Sequence, residues 1–155
     1  MIPIPEPLHP AVVHFPIALL LIGAGLSVFA LIFRRWAPPT ALILCLGALS
    51  AVVAVQTGER EEHRLPKTTG PVHEVLENHE HAAKRARNLS LVAAALSVAS
   101  VLSAQWRKVA LGIAAATVVL SLMTAWYVVQ TGHYGGALVY EHSLGVGKNQ
   151  LPGTP

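Results

Sequence analysis

Charge is scarce in this sequence, and cysteine is almost absent. Asp, Glu, Lys and Arg make up 12% of the 155 residues against 53% hydrophobic, and the mean hydropathy is +0.52. Soluble domains carry about a quarter charged residues, so the shortage excludes an ordinary soluble fold and predicts an integral membrane protein. Cys45 is the one cysteine, which excludes an intrachain disulfide and CxxC chemistry. It falls within an apolar run and reads as a small packing residue. A nucleophile–base pair, a phosphate-binding loop and a catalytic carboxylate pair are missing too, so an enzyme acting on a soluble substrate is not expected. The pI near 9.4 would suggest nucleic acid in a soluble protein, but here the basic residues are scattered around membrane ends. No nucleic-acid partner is expected.

What the chain does have is four apolar stretches, at about 15–33, 40–56, 89–105 and 109–130, each near the ~20 residues that cross a hydrocarbon core as helix. The second and third are short and should extend into their polar flanks. Residues 1–6 carry no basic n-region, and the apolar run that follows is too long for a signal peptide, so the first span should remain in the mature protein. The two short connections hold Arg34-Arg35 and Arg107-Lys108, and basic connections stay in the cytoplasm. Both termini and the 57–88 loop then face the periplasm of a bacterial inner membrane. Lys84, Arg85 and Arg87 at the start of the third span weigh against that orientation.

All eight histidines, His9, His14, His63, His73, His79, His81, His133 and His142, fall on the side of the termini and the central loop. Surface histidines would divide between the faces, so the asymmetry points to ligand binding at one of them. The second span ends AVVAVQTGE and the fourth AWYVVQTGH, with VQTG repeated at an offset of 74 residues and the basic turns at 73. The chain therefore reads as two hairpins of like topology, related by an axis near the membrane normal. An all-α four-helix bundle with pseudo-twofold symmetry follows, a single membrane domain over 1–155 with an extracytoplasmic tail at 131–155. The VQTG glycine is expected to end its helix with a positive φ.

The segment 71–88, PVHEVLENHEHAAKRARN, is amphipathic and should continue into the third span. Pro71 suits the first turn, and Val72, Val75, Leu76, Ala82, Ala83 and Ala86 share one sector. His79 projects from the middle of that sector, so it should point into the bundle. His14, on a face with Ala18 and Gly25, should pack inward at similar depth, as should His133. His73, Glu77 and His81, at i, i+4 and i+8, form a weaker zinc candidate that is also what a solvated helix face looks like. The Glu-x-x-His spacing of diiron bundles does not occur.

Imidazoles from several helices at one membrane face suit haem b. Two neutral histidines give the axial bonds, the bundle gives an apolar slot, and cations neutralise the propionates. The axial candidates are His14, His79 and His133, then His9 and His142; the cations are Arg60, Arg64, Lys67, Lys84 and Arg85. One or two haems fit a symmetric bundle. Copper or zinc on the same imidazoles is chemically reasonable, and so is a cofactor-free subunit whose histidines bond the entry segment to the tail for assembly or docking.

LHPAVVHFPIALL (8–20) and GGALVYEHSLGVG (135–147) resemble the HPxxVHFPIAL and GGxLVYxHGxGV motifs of an uncharacterised bacterial family of predicted four-span membrane proteins. His9, His14, Pro16, Gly135, Gly136, Tyr140, His142, Gly145 and Val146 match; Ser143 stands where a glycine is usual. The resemblance carries no activity. Some members are joined to cytochrome c-like domains, which implies a periplasmic cytochrome or membrane redox partner and favours haem. Gly135 and Gly136 permit a sharp turn, after which LVYEH is expected to fold back across the outer mouth, to form a short interfacial strand or to lie as ordered coil, and a homo-oligomer is compatible with the pattern.

Overall fold

A computed structural model describes residues 9–63 and 69–142. Six helices account for nearly all of them: α1 His9–Val12, α2 His14–Ile32, a 3-10 turn α3 Arg34–Trp36, α4 Ala37–Glu62, α5 Pro71–Leu102 and α6 Arg107–Tyr140. No strand occurs among the described residues. Helices α2, α4, α5 and α6 are long and apolar enough to cross a membrane. They form a closed ring in which α2 packs on α4, α4 on α5, α5 on α6 and α6 on α2. This is the all-α four-helix membrane bundle that the composition predicts.

Small residues set the packing. Helix α2 buries Pro16, Leu20, Gly23, Ala24, Ser27 and Ala30, while α5 buries Ala82, Ala86, Ser90, Ala93, Ala94, Ser97 and Ser100. Lipid tails are as apolar as leucine, so close backbone approach and van der Waals contact, rather than hydrophobic expulsion, hold such helices together. Leu20 fills the space over Gly47, and Leu44 fills the space over Gly23. The buried hydroxyls of Ser27 and Ser121 bond each other at 2.7 Å and tie α2 to α6. Large apolar side chains such as Ile22, Leu42, Leu49, Val92 and Leu122 point outward, toward the bilayer.

Three local readings are corrected. Helices α4 and α6 run through both VQTG segments, to Glu62 and Tyr140, and Gly70 is the positive-φ glycine among the described residues. Gly58 and Gly132 are thus helical despite the roughly 1 kcal/mol that glycine costs in a helix; His9 packs on Gly58, and Gly132 is exposed. Gly135 and Gly136 form no turn: they continue α6, so LVYEH does not fold back from that point. His14, Ala18 and Gly25 do share a face, but it is the exposed face of α2, opposite the buried stripe. The remainder of the second motif, Ser143, Gly145 and Val146, lies outside the described residues.

Candidate functional site

Helix α2 begins, α4 ends, α5 begins and α6 ends at one face of the bundle, and the eight histidines lie there. Two of them are drawn inward. His9 stands at the start of α1, a single turn set off from α2 at Val13 and packed against α4. Its Nδ1–H donates to the Ala54 carbonyl at 3.0 Å and lies 3.3 Å from the Thr57 hydroxyl. Thr57 gives its own proton to the same carbonyl at 2.9 Å. His79, on the inner face of α5, donates its Nδ1–H to the Thr131 carbonyl of α6 at 2.9 Å.

The two arrangements repeat each other. Each imidazole bonds the carbonyl of one helical residue and rests against the glycine four positions further on, Ala54 with Gly58 and Thr131 with Gly135. A β-carbon on Gly58 would lie 3.0 Å from His9 Cε1, and one on Gly135 would lie 3.2 Å from His79 Cε1. Any larger residue would therefore press on the ring. Both VQTG threonines take part, Thr57 through its hydroxyl and Thr131 through its carbonyl. The repeat read from sequence as a helix end is thus a pair of histidine seats, with the second used one turn further along.

A carbonyl can only accept, so each Nδ1 carries a proton, and in the neutral ring Nε2 keeps its lone pair. Such a bond fixes tautomer and ring orientation, as it does for metal-ligating histidines. Burial holds the His9 imidazole below its ordinary pKa, with the Ala54 carbonyl and Glu61 opposing it. The two rings come from opposite hairpins and stand at the same end of the bundle.

The other candidates are placed differently. His14, His133, His63 and His73 are exposed, and His142 is half-buried just past the end of α6. The His133 ring lies tilted beside that of Tyr134, with centroids 5.7 Å apart. His81 meets Glu77 at 3.5 Å on the solvated face of α5, an ordinary i, i+4 pair. Among the described residues no group of three or more His, Cys, Asp or Glu side chains gathers as a metal site; His73, Glu77 and His81 lie on the exposed face of α5.

Of the cations, Lys84 is engaged by Glu80 and Glu59, an ion pair that joins the hairpins. Its charge is already balanced within the protein. Arg85 is exposed and sits 5.6 Å above the Tyr127 ring. Arg60 lines an open groove with Gln56, Glu59 and His63. Arg64 and Lys67 lie outside the described residues.

Sequence reasoning ranked His9 below His14 because bonds to backbone carbonyls leave no residue signature. No residue pattern in the sequence marks it.

Fold and site together define a four-helix integral membrane protein with two half-buried, carbonyl-anchored histidines near one membrane face. The chain belongs to the family described as predicted membrane protein (DUF2231), whose model matches residues 5–148. No curated protein and no solved structure matches it.

Proposed function

We propose that this protein is an integral membrane haem b protein of cytochrome b type that passes electrons to or from a periplasmic or membrane partner. The observation that supports it is the matched pair His9 and His79. Each has its Nδ1–H committed to a backbone carbonyl, at 3.0 and 2.9 Å, and each keeps Nε2 as a neutral donor. Their donor chemistry suits haem iron, which these two imidazoles would hold. Arg60 and Arg85, at the same end of the bundle, are the cations suited to the propionates.

Haem b bound there supplies a one-electron iron couple. The chain's own residues do the rest. The Ala54 and Thr131 carbonyls orient the rings and raise their basicity. Gly58 and Gly135 leave space for them, and the alanine-rich helices keep water away. The basic turns Arg34-Arg35 and Arg107-Lys108 favour a cytoplasmic position for the opposite end, so this reading puts the haem near the periplasmic face of a bacterial inner membrane.

The test is the visible spectrum of detergent-purified protein, expressed with ample haem, before and after dithionite, with metal analysis of the same sample. The expected result is a Soret band that shifts on reduction, with sharp α and β bands. A colourless, iron-free protein would overturn the proposal: bound copper or zinc would then make the same imidazoles a transition-metal site, and no metal at all would leave a structural subunit.

A further inference from the structure

The opposite end of the bundle is chemically one-sided. Arg34, Arg35, Arg107 and Lys108 gather at the two turns, and no acidic residue occurs at positions 7–58 or 81–140. The ion pairs at Glu59, Glu77 and Glu80 all belong to the histidine face. Four positive charges therefore meet one leaflet with no counter-charge from the chain.

Two of these cations line one open groove between the turns, Arg34 from the first hairpin and Arg107 from the second. The remaining walls are apolar, made of alanines with Pro38 and Val101. Arg34 is held in place: its Nη2 donates to the Ser100 carbonyl at 3.2 Å and to the Ser100 hydroxyl at 3.0 Å. Ser100 passes its own proton to the Ala110 carbonyl at 3.0 Å, so three helical segments fix this guanidinium. Both partners are neutral, and the Nε and Nη1 donors of Arg34 remain uncommitted among the described residues. Arg107 is exposed and has no ion-pair partner among the described residues. Trp36 and Trp106, 37% and 61% exposed, flank the groove in sequence, and tryptophans at helix ends mark headgroup level.

We propose that this groove binds the phosphate of an anionic phospholipid headgroup in the leaflet that meets the turns. Arg34 is the preset half of the site, its free guanidinium edge suited to a phosphate, and Arg107 closes on it from the other hairpin. The apolar walls accept the glycerol and the first acyl carbons, which a free phosphate ion does not have. Lipid bound there would join the two hairpins at the end where no ion pair does so.

Native mass spectrometry of the full chain, released from nanodiscs of equal phosphatidylglycerol and phosphatidylethanolamine, tests this. Each cation near an anionic headgroup is worth about fivefold in affinity, so phosphatidylglycerol should be retained about fivefold or more over phosphatidylethanolamine. Arg107→Gln leaves the Arg34–Ser100 bonds intact and should lower that preference about fivefold; Arg34→Gln should do the same. Adding millimolar inorganic phosphate should displace nothing. Equal retention of both lipids by the unaltered chain, an unchanged preference in both variants, or displacement by inorganic phosphate would each overturn the proposal.

Discussion

His79 donates its Nδ1–H to the carbonyl of Thr131 at 2.9 Å, a bond from the start of one membrane helix to the far end of the next. The bond His9 makes to Ala54 at 3.0 Å is its counterpart in the other hairpin. Each holds a ring between helices and leaves Nε2 open to a ligand. The following expectations rest on that pairing.

Gly58 and Gly135 are the sharpest structural test. Alanine in a helix is favoured over glycine by about 0.5–1 kcal/mol, so Gly58→Ala and Gly135→Ala should keep or raise the thermal midpoint. Their β-carbons, at 3.0 and 3.2 Å from the histidine rings, should nevertheless tilt the imidazoles. Cofactor content per chain should fall severalfold while helicity by circular dichroism stays the same.

Thr57 and Thr131 should differ, although they occupy the same place in the repeat. Thr57 meets His9 through its hydroxyl, and Thr131 meets His79 through its backbone. Removing a partner that orients a ligand costs about 10–100-fold in metal affinity, and a 3.3 Å shared contact belongs at or below the lower end. Haem titration should show weaker binding for Thr57→Val and an unchanged constant for Thr131→Val.

Acid should release the site. The pKa of His9 is lowered in the folded chain by burial, so the unfolded state takes up protons first as pH falls. The stabilisation is complete above the ordinary histidine value near 6.5 and is lost as pH drops through the lower folded value. Thermal midpoints of the apoprotein should therefore fall as pH drops below about 6.5, and His9→Gln should flatten part of that slope.

Packing between the first two spans should be as sensitive as the site. A β-carbon on Gly47 would lie 2.8 Å from Cδ2 of Leu20, which is 1% exposed and has little room to move. Gly47→Val should cost about 1–3 kcal/mol, the range for overpacking a filled core. Scanning calorimetry in detergent measures it.

Much of this architecture is legible in the residues. Four apolar stretches, the basic turns and the 71–88 amphipathic pattern define the bundle, because helix period and hydrocarbon thickness leave few alternatives. The gathering of histidines at one face is legible for the same reason. Which histidine turns inward is not, since the break at Val13 sets the phase of α2 and carries His14 outward while α1 brings His9 onto α4. The function of VQTG stays hidden as well: its glycine looks like a stop until the ring that rests near it is seen, and a carbonyl acceptor has no letter in the sequence.

The central claim is that His9 and His79 together form the ligand pair. The most direct measurement is the low-temperature electron paramagnetic resonance spectrum of the oxidised protein, taken for the unaltered chain and for His9→Ala, His79→Ala, His14→Ala and His133→Ala. A low-spin ferric signal in the unaltered chain, replaced by a high-spin signal or lost in the first two variants and kept in the last two, is the predicted result. A low-spin signal that survives both His9→Ala and His79→Ala, or that disappears with His14→Ala or His133→Ala instead, would contradict it.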